Sequence, residues 1–359
     1  MKKNIFADRN KNLKSIFKDE TIFYSEFIPE KVNCRDIQVK ELTYLLEPIN
    51  NKKKASNILL YGPPGTGKTM ISKFVLNELI NYTKKAKYII INAIQDNSRM
   101  AIYSKIAVLF KLPLPRRGLA VDEIIDRIKE ELSKCDFIPI IVIDEIDQLD
   151  SKQCSNLLYD LTRINIDDKY FCLLLITNHK DFVLKLDPRT KSSLFLNSIE
   201  FNKYSPKDLK DILNQRISFG LIPNSISSDL VGFIAGYSSR RGGDARIAID
   251  LLYKSAKESD KCGNLELTKD VILSSSKSID YIKINEKINY LGKGELKLLH
   301  ILEDGMLSTD IYSKSEMPVR TVRRYLSNLE KVNLIRFENI NSNTGRTRKL
   351  FLNFDKSII

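Results

Sequence analysis

The sequence predicts an α/β domain with a parallel sheet over residues 1–204, an all-α domain over 205–280, and a third domain of helices and two strands over 281–359. Three observations carry that expectation. Short, continuously apolar runs at 58–61, 88–91, 138–143 and 171–176 alternate with stretches of helical period, as strands buried on both faces by crossover helices do. After Lys203 only helical periodicity remains, to about residue 278. Beyond 281 three helical stretches precede two strand-like runs, 334–339 and 348–354. At 359 residues the chain has room for two or three domains.

Taken in order, residues 1–20 are polar and basic without a period and are expected to form a tail or a docking segment. Val39, Leu42, Leu45 and Leu46 mark a helix that Pro48 and a polar turn close before the first strand. A short fifth strand is expected at 199–201. Helices follow at 206–219, 228–237, 243–258 and 267–277, with Gly236–Gly243, Cys262-Gly263-Asn264 and Ser274-Ser275-Ser276 as breaks. In the last domain the helices fall at 294–302, 308–313 and 318–331.

Composition removes several functions. With 58 Lys and Arg against 45 Asp and Glu, the net charge of +13 favours polyanionic partners or a solvated lysine-rich surface. The five cysteines lack paired spacing and there are two histidines, so neither a zinc site nor a disulfide framework is expected. The sequence has no apolar stretch of membrane-spanning length and no signal-peptide core, hence the expectation of no membrane partner and a cytoplasmic location.

The strongest local pattern is Gly62-Pro63-Pro64-Gly65-Thr66-Gly67-Lys68-Thr69, followed by Met70, between an apolar strand and a helix. Glycines let the backbone amides turn inward around a phosphate, and the helix N-terminus adds its partial positive charge. Lys68 is expected to reach the phosphates of ATP or ADP, and the Thr69 hydroxyl to ligate Mg²⁺. A second pattern, Ile140-Ile141-Val142-Ile143-Asp144-Glu145, delivers two carboxylates at a strand's carboxyl end. Asp144 suits the metal, directly or through water, and Glu145 suits activation of the attacking water. Asn178, ending another strand, is positioned to orient that water; the bland alternative is a turn-starting Asn.

The last domain is legible from its own residues. At 100° per residue Val319, Val322, Leu326 and Leu329 share one face of a helix, with Tyr325 at its edge. Arg320, Arg323, Arg324, Ser327 and Lys331 lie away from that face. A short helix and turn before it make a helix-turn-helix, and the two strands joined over 341–348 make a wing carrying Arg346 and Arg348. The expectation is a winged helix on double-stranded DNA, with the recognition helix in the major groove and the wing tip in the minor groove. Residues 281–359 hold 14 Lys and Arg against 9 Asp and Glu, in keeping with that partner.

Together these residues resemble the AAA+ class of P-loop ATPases, and within it the archaeal origin-recognition and replication-initiator family. Tyr24–Glu30 with Asn33-Cys34-Arg35-Asp36 is similar to the family's segment before the P-loop. Gly118–Glu123 resembles its Gly-Leu helix start, Leu186–Leu194 the segment after sensor 1, and Gly242-Gly243-Asp244-Ala245-Arg246 its sensor 2 motif. The resemblance implies that Asn178 is sensor 1, Arg246 is sensor 2 and Arg189 is an arginine finger acting on a neighbouring subunit. It also implies a DNA-contacting insertion near 92–115, flanked by Arg116 and Arg117. One departure is the sensor 1 ending Ile176-Thr177-Asn178-His179, where the family is more Ser-Asn-like. The implied function is a slowly hydrolysing, ATP-switched initiator that binds origin DNA, recruits the replicative helicase and assembles on DNA with itself or paralogues. The alternatives are an ATPase-linked winged-helix transcriptional regulator and a clamp-loader-like or transposition-type ATPase.

Overall fold

The computed structural model describes residues 14–115, 120–166, 169–342, 345–354 and 356. Five parallel strands, β1 (Asn57–Tyr61), β2 (Ala86–Asn92), β3 (Ile138–Asp144), β4 (Cys172–Thr177) and β5 (Leu196–Glu200), lie in the order β2-β3-β4-β1-β5. The period of two along each strand sorts its side chains between two cores. Leu59, Ile141, Ile143, Leu173 and Leu175 enter one, against α3 (Arg99–Leu109), α4 (Val121–Lys134) and α5 (Ser151–Arg163). Ile58, Leu60, Ile140, Val142, Leu174 and Ile176 enter the other, against α1 (Asp36–Leu46) and α2 (Lys68–Tyr82). All seven residues of β3 are buried, which explains a run without polar alternation. The fifth strand forms, three residues earlier than expected at its start.

After α6 (Pro188–Leu194) come α7 (Pro206–Gly220), α8 (Ser228–Arg240) and α9 (Ala245–Lys261). Helix α7 starts where it does because Ser205 and Asp208 form a reciprocal capping box and Pro206 holds the first helical position. Residues 14–20 are not a free tail. Ile16 is fully buried and Phe17 bridges to Leu221 in antiparallel fashion. An apolar pair inside the polar stretch outweighs its average composition.

The chain divides into two compact units, one running through Ala256 together with Asp260–Glu266, the other formed by Lys257–Ser259 and the chain from Leu267. The expected break at 274–276 does not form: α10 runs from Lys269 to Asn289 through it, and through residue 280. The hydroxyls of Ser274 and Ser276 donate to the carbonyls of Val271 and Leu273, so these serines are absorbed within the helix. Then come α11 (Lys293–Ile301), α12 (Ser308–Lys314), α13 (Val319–Lys331) and the antiparallel pair β6 (Ile335–Ser342) and β7 (Gly345–Leu352). Leu307 adds a bridge to Lys349, the third edge of a winged helix. Its core takes Val322, Leu326, Leu329, Ile335 and Leu350.

Two details correct the expected geometry. The wing pairs out to Ser342 opposite Gly345, so Arg346 and Arg348 belong to β7, opposite Asn341 and Asn339, and not to a long tip. Backbone groups at the tip gain partners by extending the ladder. Val319, assigned to the apolar face, is 45% exposed. It is the first residue of α13, and its side chain leans over the preceding turn, beyond the core. Among the described residues no helix is long and apolar enough to cross a membrane.

Candidate nucleotide site and basic helix

The carboxyl ends of β1, β3 and β4 are adjacent, so the three polar segments predicted separately converge on one edge of the sheet. Gly62, Gly65 and Gly67 have φ of 146°, 70° and 90°, a conformation that side chains resist. At Gly62 the approach is also too close for one: a Cβ would lie 2.1 Å from the Phe201 carbonyl oxygen. Lys68 opens α2, 6% exposed, and its Nζ donates to the carbonyls of Gly62 (2.7 Å) and Pro63 (2.8 Å) and to Oδ1 of Asn178 (2.9 Å). The Thr69 hydroxyl donates to Oδ2 of Asp144 at 2.7 Å. Thr69 and Asp144 therefore present oxygens at one spot, a donor set that suits Mg²⁺.

Glu145 leaves the strand in the left-handed region, φ 55°, which turns it away from Asp144. Asn92, opposite Asp144 in the ladder, donates from Nδ2 to Oε2 of Glu145 at 3.4 Å. Asp147 accepts from the Thr177 hydroxyl (2.7 Å) and the Asn178 amide (3.2 Å), pinning the end of β4. Burial opposes ionisation of Asp147, yet these hydrogen bonds bring its carboxyl below the ordinary value. Asn92 carries no signature in the sequence, and Asp147, although it closes the stretch Ile140–Asp147 that holds Asp144 and Glu145, gains no role from spacing alone. Arg35 enters there only by resemblance. Its guanidinium donates to the carbonyls of Thr66 (3.2 Å) and Asn202 (2.5 Å) and stacks 4.0 Å over Tyr204, bracing the loop from behind.

A cavity of about 520 Å³ opens over the loop, in the usual range for a small-molecule site. Its lining includes the polar residues Lys68, Thr69, Asp144, Glu145, Asn178 and Arg246 with Met70, and the apolar residues Phe27, Ile28, Pro29, Ile212 and Ile249, from the amino-terminal segment and the helices after the sheet. Those apolar residues are brought in from two distant stretches. Arg189 does not line this cavity. It is exposed, beside Tyr159, Arg163, Ser192 and Ser193 in a separate open depression.

Burial depresses Lys68 to about 8, partly offset by the Asp144 carboxylate. A bound phosphate favours the protonated form and raises that value, so the Lys68 contribution to nucleotide affinity is expected to be largely present below about pH 8 and to be lost progressively above it. The limiting slope is about tenfold per pH unit. Phosphate's own second ionisation, near about 6, leaves the window from 7.5 to 9.5 clear. Titrating ADP across that window checks this; a constant affinity rejects it.

On α13, Arg320, Arg323, Arg324, Ser327 and Lys331 are all exposed, opposite Val322, Leu326 and Leu329. Asn328 fixes the helix to α11 by donating to Glu295 at 2.8 Å. Arg348 is exposed; the Arg346 side chain, Arg116 and Arg117 lie outside the described residues. The stretch 92–115 contains α3, whose Ile102, Tyr103, Ile106 and Ala107 are fully buried. Within it Arg99 is turned inward to Asp160 at 2.7 Å and does not present a free cation. Apolar residues on that helix seat it in the core.

Parallel sheet, phosphate loop, paired strand-end carboxylates and a helical cap carrying Arg246 together define an AAA+ ATPase, a nucleotide-binding class. Residues 51–184 match the AAA domain model and 210–277 the Cdc6 AAA+ ATPase-type lid domain. The chain is 31% identical to ORC1-type DNA replication protein 1 of Sulfolobus acidocaldarius, over 96% of its own length and 92% of the relative's. With the same-named protein of Aeropyrum pernix it shares 30% identity over 95% and 93% of the two chains. The structure of the A. pernix ORC1 protein in complex with DNA superposes with a TM-score of 0.74 at 29% identity, covering 96% of each chain. That of Cdc6p from Pyrobaculum aerophilum reaches 0.68 at 23% identity, covering 96% and 97%, a likeness of fold. This chain belongs to the ORC1-type DNA replication protein family of initiators.

Proposed function

We propose that the protein is an ATP-switched initiator that binds origin duplex DNA through its winged helix and helps to recruit the replicative helicase. The observation that carries this is the pairing, in one chain, of a complete phosphate site with a helix whose arginines face solvent along one side. Lys68 and the loop amides hold the phosphates, and Arg246 reaches them from the lid. Thr69 and Asp144 would hold Mg²⁺, which supplies charge neutralisation at the phosphates when bound. Glu145 takes the proton of the attacking water and Asn178 orients that water. Arg189 is exposed and lies outside the lining of its own cavity, which supports action on nucleotide held by a neighbouring copy or paralogue. Hydrolysis in a single copy is accordingly slow, which suits a switch.

DNA binding is tested with the full chain. Arg324→Ala is expected to relax preference at one base position, at about 1–3 kcal/mol. Arg346→Ala is expected to weaken all duplexes evenly and to lower the salt dependence by about one counterion if it meets phosphate. Enrichment from a random duplex pool followed by titration at two salt concentrations reads both. Unchanged binding by both variants makes α13 and the wing a protein-docking surface and removes the initiator reading's main support.

A further inference from the structure

We infer that Asp244 is the positioning residue of Arg246, fixing its guanidinium by a two-point contact while resting on the phosphate loop itself. The Asp244 carboxylate accepts from Arg246 Nε at 3.2 Å and Nη2 at 2.9 Å, and from the Arg246 backbone amide at 2.8 Å. The same carboxylate lies against Gly65: a Cβ there would be 1.7 Å from its Oδ1. Alongside it the Ala245 amide donates to the Gly65 carbonyl at 3.1 Å, and the Ser238 hydroxyl to the Asp244 carbonyl at 2.6 Å.

The geometry divides the labour on the guanidinium. Of five N–H donors, Asp244 engages Nε–H and one of Nη2, the side edge of the fork. Three donors at the far edge stay available, and Arg246 lines the cavity with Lys68 and Glu145 whereas Asp244 stands outside its lining. With its side chain 15% exposed against 66% for Arg246, Asp244 is the fixed partner of the two. Because the carboxylate is seated on Gly65, the position of Arg246 is referenced to the loop and not to the lid alone. A lid rotation that withdraws Arg246 must also lift Asp244 off the loop.

This inference rests on the phosphate-binding role given to Arg246 above, and one set of measurements separates the two. Single-turnover ATP hydrolysis and affinity for a fluorescent ATP analogue are compared in full-length wild type, Asp244→Ala, Asp244→Asn, Arg246→Ala and Asp244→Ala/Arg246→Ala. The expected result is a rate loss of about tenfold in each alanine variant, with the double variant no slower than Arg246→Ala, since Asp244 acts through Arg246. Analogue affinity of Asp244→Ala stays within about threefold of wild type, because removing a carboxylate near the phosphates offsets the poorer orientation. The near-isosteric Asp244→Asn falls between wild type and Asp244→Ala. Additive losses in the double variant, or a wild-type rate in Asp244→Ala beside a slow Arg246→Ala, would overturn the inference. A wild-type rate in Arg246→Ala itself removes the role of Arg246 and the positioning role with it.

Discussion

Lys68→Ala is expected to raise the dissociation constants for ATP and ADP by a hundredfold or more, about 3 kcal/mol. The lysine enters the folded state with its desolvation already incurred, as its depressed value of about 8 records. Three acceptors hold the ammonium at the loop. A phosphate oxygen placed there gains a charge-assisted hydrogen bond in a partly dehydrated site, where such bonds are strongest. Alanine removes that bond and leaves the Gly62 and Pro63 carbonyls without this donor. Isothermal titration with ADP measures the effect, and circular dichroism checks that the variant is folded. Equal affinity for variant and wild type would refute the phosphate-site assignment.

Glu145→Gln is expected to bind ATP as wild type does while hydrolysis falls by about 10²–10⁴. Glutamine keeps the volume and an oxygen able to accept from Asn92, so the geometry at 3.4 Å survives. What it loses is the negative charge and the ability to take a proton from water. Asp144 and Thr69, the oxygens suited to the metal, are untouched. Filter binding of ATP next to a single-turnover chase reads the two effects apart. Unimpaired hydrolysis would move the base elsewhere on the strand ends, and lost binding would mean that Glu145 serves the phosphate site and not the water.

Lys68 and Glu145 are legible in the amino-acid sequence because each sits in a contiguous pattern. A strand, six residues of turn with three glycines, and a Lys-Thr helix start are all encoded within about a dozen positions, and backbone sterics there leave one kind of solution. The sheet is legible for a similar reason: full burial of β3 demands a run without polar residues. So is the carboxy-terminal helix, where the spacing of Val322, Leu326 and Leu329 fixes which side the arginines take.

The tertiary structure alone decided the partners of isolated polar residues. Asn92 and Asp147 lie 55 positions apart and meet the same site only because β2, β3 and β4 stand side by side. Asp244 reaches Gly65 across 179 residues, and no local period announces it. The inward turn of Arg99 and the absorption of Ser274 and Ser276 into α10 are likewise invisible in the sequence, because composition marks a residue as polar without saying whether a neighbour will satisfy it. Periodic and contiguous signals thus determined most of the elements, the phosphate loop and the exposed basic side of α13. The crossover order of the sheet decided the rest, since a hydrogen bond between distant residues depends on which ends the packing brings within about 3 Å.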